Sequence, residues 1–274
     1  MNLLIESGAT KSTYIGYSDI CTFFIYKNTG INANYASKEA IVDNFMNMIT
    51  QNNILVDEVE NIRYYGAGCF DIHNAKKIKD ILSSLFPNTN ITVLSDLYAA
   101  CHALCKNKRG MVGILGTGAA SCFYDGENIT KKAPSLGWLL GDEGSGVYLG
   151  KLFVKEYLTD KIDTEVVHDF EKMFAVSKSI ILEKVYQTPT PQTFFASIPV
   201  FLQKHLEKKQ IRVIVENSFQ KFFEQQINFY PEFSYPCFFC GSIAYYFQDI
   251  LVGVAQKNNL TIEKIIRECA PALL

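Results

Sequence analysis

Short apolar runs and helical stripes alternate along the first hundred residues of the chain. Each run is ended by small or polar residues, which is typical of strands joined by turns. Between the later runs, apolar residues recur every three to four positions, as on one face of a helix. In order, we predict strands at 2–6, 13–17, 21–26, 62–65 and 91–94 and helices after Ser37, at 74–86 and at 96–105. This order predicts an α/β unit with a mixed sheet.

The second half of the chain begins with a strand, a glycine-rich turn and another strand. Residues 111–115 are apolar and Gly116-Thr117-Gly118 forms the turn. Residues 119–124 leave no room for a helix before Asp125-Gly126, a strong hairpin signal. The same unit opens the chain, where residues 7–12 are a small-residue turn between strands. Because the copies lie roughly a hundred residues apart, we expect a duplicated domain rather than a short repeat.

This duplication divides the chain into two predicted domains. We place the N-terminal domain at 1–106 and the C-terminal domain at 107–257, and we expect 258–274 to pack back on the first. In the second domain we predict helices at 147–157, 163–174, 178–186, 192–206, 211–229 and 243–256 and a strand at 237–240. If the two domains face each other, both glycine-rich turns point into one cleft.

The glycine-rich turns are candidate phosphate-binding elements. Gly116-x-Gly118 does not open a helix, as the dinucleotide fingerprint requires, and the chain has no Gly-Lys-Ser/Thr ending of a P-loop. What remains is a hairpin whose backbone N–H groups can form an anion-binding nest, although most turns of this kind are only turns.

Asp96 is the candidate general base. It lies at the carboxyl end of a predicted strand, where ligands gather in open α/β sheets. A carboxylate there can accept the proton of an attacking hydroxyl, as phosphoryl transfer to an alcohol requires. The simpler interpretation, a helix N-cap, would also explain an aspartate at this position.

A glycine-rich acidic segment, Gly141-Asp142-Glu143-Gly144-Ser145-Gly146, precedes the helix predicted at 147–157. Its glycines let the backbone approach a ligand closely, and Asp142 could bind sugar hydroxyls. Alternatively, the acids only favour the helix dipole. Trp138 could be a core residue or an apolar face for a sugar ring, and Gly241-Ser242 could cover adenine or be a tight turn.

Composition excludes several classes of partner. The 274 residues carry a net charge of −2, which gives no reason to expect nucleic acid or an anionic membrane surface as a partner. No apolar run is long enough to span a bilayer, and the chain enters its first strand without a signal-peptide pattern, so we expect a cytoplasmic protein. Of the eight cysteines, Cys237 and Cys240 are spaced as C-x-x-C, but their apolar setting favours core packing over a metal or redox site.

Three motifs, taken in order along the chain, resemble those of one superfamily. Residues 6–12 and 116–121 resemble the first and second phosphate motifs of the acetate-kinase, hexokinase and actin-like ATPases. Residues 137–146 are similar to the Gly-Trp…Gly-Asp-Glu-Gly-Ser signature of the N-acetylglucosamine kinases and the BadF/BadG/BcrA/BcrD-type ATPases. Gly241-Ser242 falls where that family has its adenosine motif.

The resemblance implies two actin-like, ribonuclease H-like domains, each with a mixed sheet, and an ATP cleft between them. It implies an ATP- and Mg²⁺-dependent kinase that phosphorylates N-acetylglucosamine on its 6-hydroxyl, with a homodimer left open. By matched motif, the implied roles are base for Asp96; phosphate binding for Gly8, Ala9, Thr10, Lys11, Thr117 and Gly118; adenosine binding for Gly241 and Ser242; sugar binding for Asn32, Trp138 and Asp142; and Mg²⁺ binding through water for Glu6.

The chain departs from the family pattern in two places. Glu6 stands where the family usually has Asp, and the segment from Trp138 to Gly141 is two residues shorter than in the animal sugar kinases. Two alternatives also stay open. One is an ATPase that activates a partner enzyme through an iron–sulfur cluster, which would need interface cysteines. The other is a non-catalytic sugar-sensing regulator.

Overall fold

The chain folds into two compact units, each built around a five-stranded sheet. The computed structural model describes residues 1–226, 229–230 and 235–274. The first unit contains residues 1–106 and 268–274, and the second contains residues 107–267. Of the segment 258–274, therefore, only the last seven residues belong to the first unit.

The first unit has five strands and three α-helices. They are, in chain order, β1 (Asn2–Ser7), β2 (Lys11–Tyr17), β3 (Thr22–Thr29), α1 (Lys38–Gln51), β4 (Asn61–Gly66), α2 (Ile72–Leu85), β5 (Asn90–Ser95) and α3 (Asp96–Leu104). Short 3₁₀ helices lie at Val56–Glu58 and Ala270–Ala272. Ser37 caps α1 by accepting from the N–H of Ala40, and Asp71 caps α2.

The first sheet has the order β3-β2-β1-β4-β5. β1 pairs antiparallel with β2 and parallel with β4, and β4 pairs parallel with β5. Ser7, Gly66 and Ser95 stand in register at the carboxyl ends of the three parallel strands. The loops that follow these residues therefore begin at the same edge of the sheet.

The core of the first unit lies between the sheet and the helices α1 and α2. Phe45 of α1 and Tyr64 of β4 are fully buried, and their rings meet edge to face with centroids 6.1 Å apart. Tyr65, the next residue along β4, points to the opposite face of the sheet. There its hydroxyl lies 3.1 Å from Nδ1 of His102 on α3.

The second unit repeats the strand arrangement and adds nine α-helices within its described residues. Its elements are β6 (Gly110–Leu115), β7 (Ala119–Tyr124), β8 (Ile129–Lys132), α4 (Gly137–Leu140), α5 (Gly146–Leu158), α6 (Thr164–Phe174), α7 (Lys178–Tyr186), α8 (Pro191–Ser197), α9 (Pro199–Lys204), α10 (Lys209–Gln226), β9 (Cys237–Cys240), α11 (Ser242–Tyr246), α12 (Gln248–Lys257) and β10 (Ile262–Ile266).

The second sheet has the order β10-β9-β6-β7-β8, which matches the first sheet strand for strand. β6 pairs antiparallel with β7 and parallel with β9, and β9 pairs parallel with β10. Ile114, Cys240 and Ile266 stand in register at the same edge. The duplicated strand–turn–strand unit thus reflects two sheets of one topology.

The helices of the second unit pack around a large aromatic core. Phe153 of α5, Phe170 of α6 and Phe201 of α9 are almost fully buried, with ring centroids 4.7–5.5 Å apart. Their tilted and edge-on contacts are the arrangements that aromatic rings prefer. This core holds α5, whose first turn contributes to the candidate site described below.

Two predicted helices are divided in the structure. The prediction at 192–206 is wrong at Ile198, because Pro199 has no N–H and starts the new helix α9. The prediction at 243–256 is wrong at Phe247, which separates α11 from α12. For the helix predicted at 211–229, residues 227–228 lie outside the described residues.

Among the helices that the structure describes, none combines the length and the apolar character needed to cross a membrane.

Gly150 marks a point where two helices of the second unit approach closely. A Cβ at this position of α5 would lie 2.2 Å from the carbonyl oxygen of Phe195 on α8. We expect Gly150→Ala to lower the free energy of unfolding by about 1–3 kcal/mol, because backbone atoms must move to relieve the overlap. Urea unfolding followed by circular dichroism measures the change.

Gly253→Ala is the matched control. Gly253 lies in helix α12, and a Cβ there would meet no atom within 4 Å. We expect this change to be neutral or to stabilise by up to about 1 kcal/mol through helix propensity. Equal effects of the two substitutions would contradict the close packing of α5 against α8.

Candidate functional site

The first candidate phosphate turn is a tight hairpin between β1 and β2. The N–H of Gly8 donates to the carbonyl of Lys11 (2.9 Å), and the hydroxyls of Ser7 and Ser12 lie 2.6 Å apart below it. Both serines are fully buried, whereas Ala9 and Thr10 are exposed at the tip. The turn therefore presents its backbone and the Thr10 side chain on a rigid base.

Gly30 supports this hairpin from the end of β3. A Cβ on Gly30 would lie 2.3 Å from the carbonyl oxygen of Gly8 and 2.5 Å from the N–H nitrogens of Thr10 and Lys11. Only a residue without a side chain fits there. The next residue, Ile31, donates its N–H to the Ser7 hydroxyl (2.8 Å), which fixes the chain below the turn.

Asp96 lies at the same sheet edge as this hairpin. It is the first residue of α3, while Ser95 occupies the N-cap position without a side-chain cap bond. Asp96 is half-buried, and its Oδ1 accepts from the N–H of Leu97 (3.0 Å). The interpretation of Asp96 as the N-cap is therefore wrong. Its place directly after β5 agrees with a role at the carboxyl end of the parallel strands.

Asn32, predicted to bind sugar, lies beside the loop that follows β4. Its Oδ1 accepts from the N–H of Asn34 (3.1 Å) and lies 2.8 Å from the position of a Cβ on Gly68. Gly68 has φ +83°, so a side chain there would also be strained. A hydrogen bond of 2.9 Å from Ala33 to Ala67 joins the two loops.

Glu6, predicted to bind magnesium through water, is held by the C-terminal segment. Its Oε2 accepts from the N–H of Ala270 (2.6 Å). Burial raises the pKa of Glu6, the hydrogen bonds from Ala270 and Cys269 lower it, and the charges of Glu268 and Asp96 raise it again. A divalent cation would relieve the repulsion between these carboxylates. Since magnesium is usually bound by one or two carboxylates with phosphates and water, the residues fit this ion.

Lys11, the last of the four residues assigned to phosphate binding in the first motif, forms an ion pair. Its ammonium group lies 2.5 Å from Oε1 of Glu268, and Lys27 lies 3.5 Å from Oε2 of the same carboxylate. All three side chains belong to the first unit and are partly exposed. Sequence reasoning missed Glu268, because no motif covers it.

The second phosphate turn is joined to the first turn of helix α5. The carbonyl oxygens of Gly116 and Thr117 accept from the N–H groups of Gly146 (2.8 Å) and Val147 (3.2 Å). A Cβ on Gly116 would meet no protein atom within 4 Å, so the space beside it is open. The turn and the positive end of the helix dipole are thus neighbours.

Asp142, predicted to bind sugar, lies directly against this turn. Its carboxylate accepts from the N–H of Ala119, and its Oδ2 lies 3.0 Å from the position of a Cβ on Gly118. Burial raises the pKa of Asp142, while the hydrogen bond from Ala119 and the charge of Lys151 lower it. Asp142 has φ +60°, a left-handed conformation that is uncommon outside glycine.

Two residues near Asp142 were given no ligand-binding role from the sequence. Lys151 of α5 donates to the carbonyl oxygen of Trp138 (2.5 Å), which holds the short helix α4. Glu143 is buried, and the amide nitrogen of Gln225, in the orientation that satisfies both groups, donates to its carboxylate oxygens at 3.0 and 3.1 Å. Glu143 and Lys151 therefore fix the loop that carries Asp142. Trp138 itself is half-buried and packs against the core of the unit.

The predicted adenosine motif also lies beside the second phosphate turn. Gly241 follows β9 with φ +111°, and a Cβ there would lie 2.3 Å from the carbonyl oxygen of Leu115. Only glycine fits this position. Ser242 is exposed at the start of α11. The structure thus brings together Thr117, Gly118, Asp142, Gly241 and Ser242 within the second unit.

The cysteine pattern does not favour a cluster site. All eight cysteines are free thiols, and Cys237 and Cys240 are buried in strand β9. Burial raises the pKa of Cys237 to about 12, which disfavours the thiolate that metals bind. Within the described part of the chain, no three acidic, cysteine or histidine side chains come together as a metal site. The burial of Cys237 and Cys240 in strand β9 agrees with the prediction that the pair serves core packing.

Solved structures similar to this chain include the putative N-acetylglucosamine kinases of Porphyromonas gingivalis and Chromobacterium violaceum. The first is 29% identical with a TM-score of 0.95, over 100% of this chain and 97% of the other. The second is 14% identical with a TM-score of 0.75, over 99% and 96%. A ROK family glucokinase from Streptomyces griseus, solved with glucose and AMPPNP, is 11% identical with a TM-score of 0.56, over 97% and 93%.

No protein-family model matches the sequence, and no curated protein is significantly similar to it. The structural likeness nevertheless confirms the predicted α/β fold with two mixed sheets. It also confirms the resemblance to the N-acetylglucosamine kinases and the actin-like superfamily that the motifs indicated. The roles of the individual site residues stay predictions.

The titration of Glu6 gives a test of its environment. Burial raises its pKa above 4.5, the ordinary value, so the stability from the protonated carboxyl is complete below that pH and is lost as the pH rises through the folded-state pKa. Glu6→Gln can still accept from Ala270 but carries no charge. The wild type loses this stability as the pH rises, whereas the Glu6→Gln variant does not. We therefore expect the free energy of unfolding of Glu6→Gln, measured relative to that of the wild type, to be higher at about pH 7.5 than at about pH 4.5.

Urea unfolding in metal-free buffer at the two pH values measures this difference. Glu127→Gln, in the exposed turn between β7 and β8, removes the same charge from a solvated position and serves as the control. A pH-independent difference for Glu6→Gln would contradict a half-buried carboxylate with a raised pKa.

Proposed function

We propose that this chain is an ATP-dependent sugar kinase that transfers the γ-phosphoryl group to the 6-hydroxyl of N-acetylglucosamine. The observation that carries the proposal is the contact between Asp142 and the turn Gly118-Ala119 in the second unit. Because of this contact, a carboxylate that can bind sugar hydroxyls lies beside a turn that can bind phosphate. Phosphoryl transfer to a sugar requires both groups at one place.

Nucleotide binding is assigned to both units. In the first unit, phosphate binding is assigned to the turn from Gly8 to Lys11. The hydrogen bond from Gly8 to Lys11 closes the turn, and Ala9 and Thr10 form its exposed tip. The Thr10 hydroxyl and the Lys11 ammonium group are donors that fit polyphosphate. In the second unit, Thr117 and Gly118 bind phosphate, and Gly241 and Ser242 bind adenosine. These roles agree with the resemblance and with the position of each motif at the carboxyl end of a parallel strand.

Magnesium would neutralise charge on the transferred phosphoryl group when it is bound. Glu6 would hold it through water. Because Glu6 already accepts from the N–H of Ala270, only part of its hydrogen-bonding capacity is left for a metal-bound water.

Asp96 is proposed as the general base. Its carboxylate accepts the proton of the sugar 6-hydroxyl as the oxygen forms a bond to the γ-phosphorus. The bond from that phosphorus to the bridging oxygen breaks at the same time, and ADP leaves with the electron pair. The rigid start of helix α3 and the register of β5 with β4 hold Asp96 in place.

Sugar recognition is assigned to Asn32, Trp138 and Asp142. Asn32 offers an amide from the first unit, and Asp142 offers a carboxylate held by Ala119 from the second. Half-buried Trp138 offers an apolar surface, as sugar rings require. Lys151 and Glu143 keep the Trp138–Asp142 segment in position.

A substrate panel tests the proposed activity. ADP release by the purified chain is measured with N-acetylglucosamine, N-acetylmannosamine, N-acetylgalactosamine and glucose, with and without Mg²⁺. We expect Mg²⁺-dependent turnover that is fastest with N-acetylglucosamine, and nuclear magnetic resonance of the product should place the phosphate on the 6-hydroxyl. A preference for glucose would contradict the N-acetylhexosamine specificity, and no turnover with any sugar would contradict the kinase.

Asp96 and Asp142 are expected to differ in their kinetic effects. Asp96→Asn removes the proton acceptor, so we expect nucleotide binding to persist while kcat falls by about 10²–10⁴. Asp142→Asn removes the charge that binds sugar hydroxyls, so we expect mainly a higher sugar KM. Steady-state kinetics over sugar concentration separate the two. Near-normal kcat in Asp96→Asn together with a lost kcat in Asp142→Asn would exchange the two roles.

A further inference from the structure

The carboxylate of Glu268 lies between two lysines at the first phosphate turn. Its Oε1 is 2.5 Å from Lys11, and its Oε2 is 3.5 Å from Lys27. Lys11 is the residue that directly follows the exposed tip of the turn. The ammonium group that is proposed to contact the phosphates is therefore already paired with a carboxylate of the protein itself.

The two lysines lie on the same face of the sheet. Lys27 of β3 stands opposite Thr13 of β2, and Thr13 is two residues from Lys11. Side chains two residues apart share one face of a strand, so Lys11 and Lys27 are diagonal neighbours across β2 and β3. One carboxylate can bridge such a pair.

Glu268 is held in place by the residues that follow it. Cys269 and Ala270 are almost fully buried, and the N–H of Ala270 donates to Glu6 (2.6 Å). The backbone that carries Glu268 is therefore anchored to strand β1. This distinguishes Glu268 from an exposed side chain that meets a lysine by chance.

We infer that Glu268 is a positioning residue that competes with nucleotide phosphates for Lys11, and that Lys27 keeps Glu268 paired when Lys11 turns to the phosphates. The inference rests on the proposed function, since it takes Lys11 as a phosphate contact. A polyphosphate carries several negative charges and can draw Lys11 away from a single carboxylate. Glu268 at the same time repels the incoming phosphates, so it lowers nucleotide affinity.

The exchange predicts opposite changes in nucleotide affinity for substitutions of Glu268 and of its second lysine partner, Lys27. Glu268→Gln removes the competitor and the repulsion, so we expect the Kd for AMPPNP to fall about two- to fivefold, the range that corresponds to one partly exposed ion pair. Lys27→Met leaves Glu268 with Lys11 as its lysine partner, so the Kd should rise by a similar factor. Isothermal titration calorimetry with Mg²⁺ and without sugar measures both.

The double variant separates exchange from long-range electrostatics. If Lys27 acts through Glu268, the variant with both Lys27→Met and Glu268→Gln binds AMPPNP as Glu268→Gln does. If Lys27 only adds positive potential, its effect persists in the double variant and the inference is overturned. Adenosine, which has no phosphates, should bind all variants alike. A merely structural role of Glu268 would not produce this pattern.

Glu263→Gln is the matched control. Glu263 forms an ion pair with Lys108 in the second unit, so this change removes the same charge close by in the sequence from a carboxylate that is paired with a different lysine. We expect unchanged AMPPNP affinity. If Glu268→Gln also left the affinity unchanged, or weakened it, the inference would be wrong while the proposed function still stood.

Lys11→Met distinguishes a failure of the inference from a failure of the proposed function. A weaker affinity for AMPPNP in this variant supports Lys11 as a phosphate contact. An unchanged affinity would overturn that role and the inference with it. Melting curves of each variant show that the change in affinity occurs in a folded protein.

Discussion

Parallel pairing of three strands in each sheet is the constraint on which both candidate sites depend. In the first unit, Ser7, Gly66 and Ser95 end their strands in register, so the first phosphate turn and Asp96 start from the same sheet edge. In the second unit, Ile114 and Cys240 are in register, and the second phosphate turn meets Gly241. A register shift of one residue would turn every side chain of a strand to the other face and separate these groups.

Close approach of backbone to backbone then fixes the turns themselves. Gly30 lies 2.3 Å, measured from the position of a Cβ, from the carbonyl of Gly8, and Gly241 lies equally close to the carbonyl of Leu115. Such contacts leave no room for a side chain, so only glycine fits at these two positions beside the turns. Asp142 also stabilises the second turn, because its carboxylate accepts from the N–H of Ala119, the residue that follows Gly118. A rigid turn keeps its backbone groups in one orientation, so binding a ligand there requires little further ordering.

The C-terminal segment adds charged groups that no motif describes. Residues 268–274 return to the first unit after strand β10 has completed the second sheet. Ala270 then binds Glu6, and Glu268 meets Lys11. The side chain of Glu6 therefore connects strand β1 to this segment. The first phosphate turn is therefore assembled from both ends of the chain.

The sequence by itself determined most of the local elements, the duplication and the positions of the two glycine-rich turns. Periodicity and hairpin signals depend on neighbouring residues, and they placed β6, β7 and the turn at Gly116 correctly. The sequence missed the break at Pro199, and the alternative interpretation of Asp96 as an N-cap was wrong because Ser95 occupies that position. Only the tertiary structure decided the partners of Asp142, Glu6 and Lys11, because residues far apart in the chain form those contacts and no local pattern encodes them.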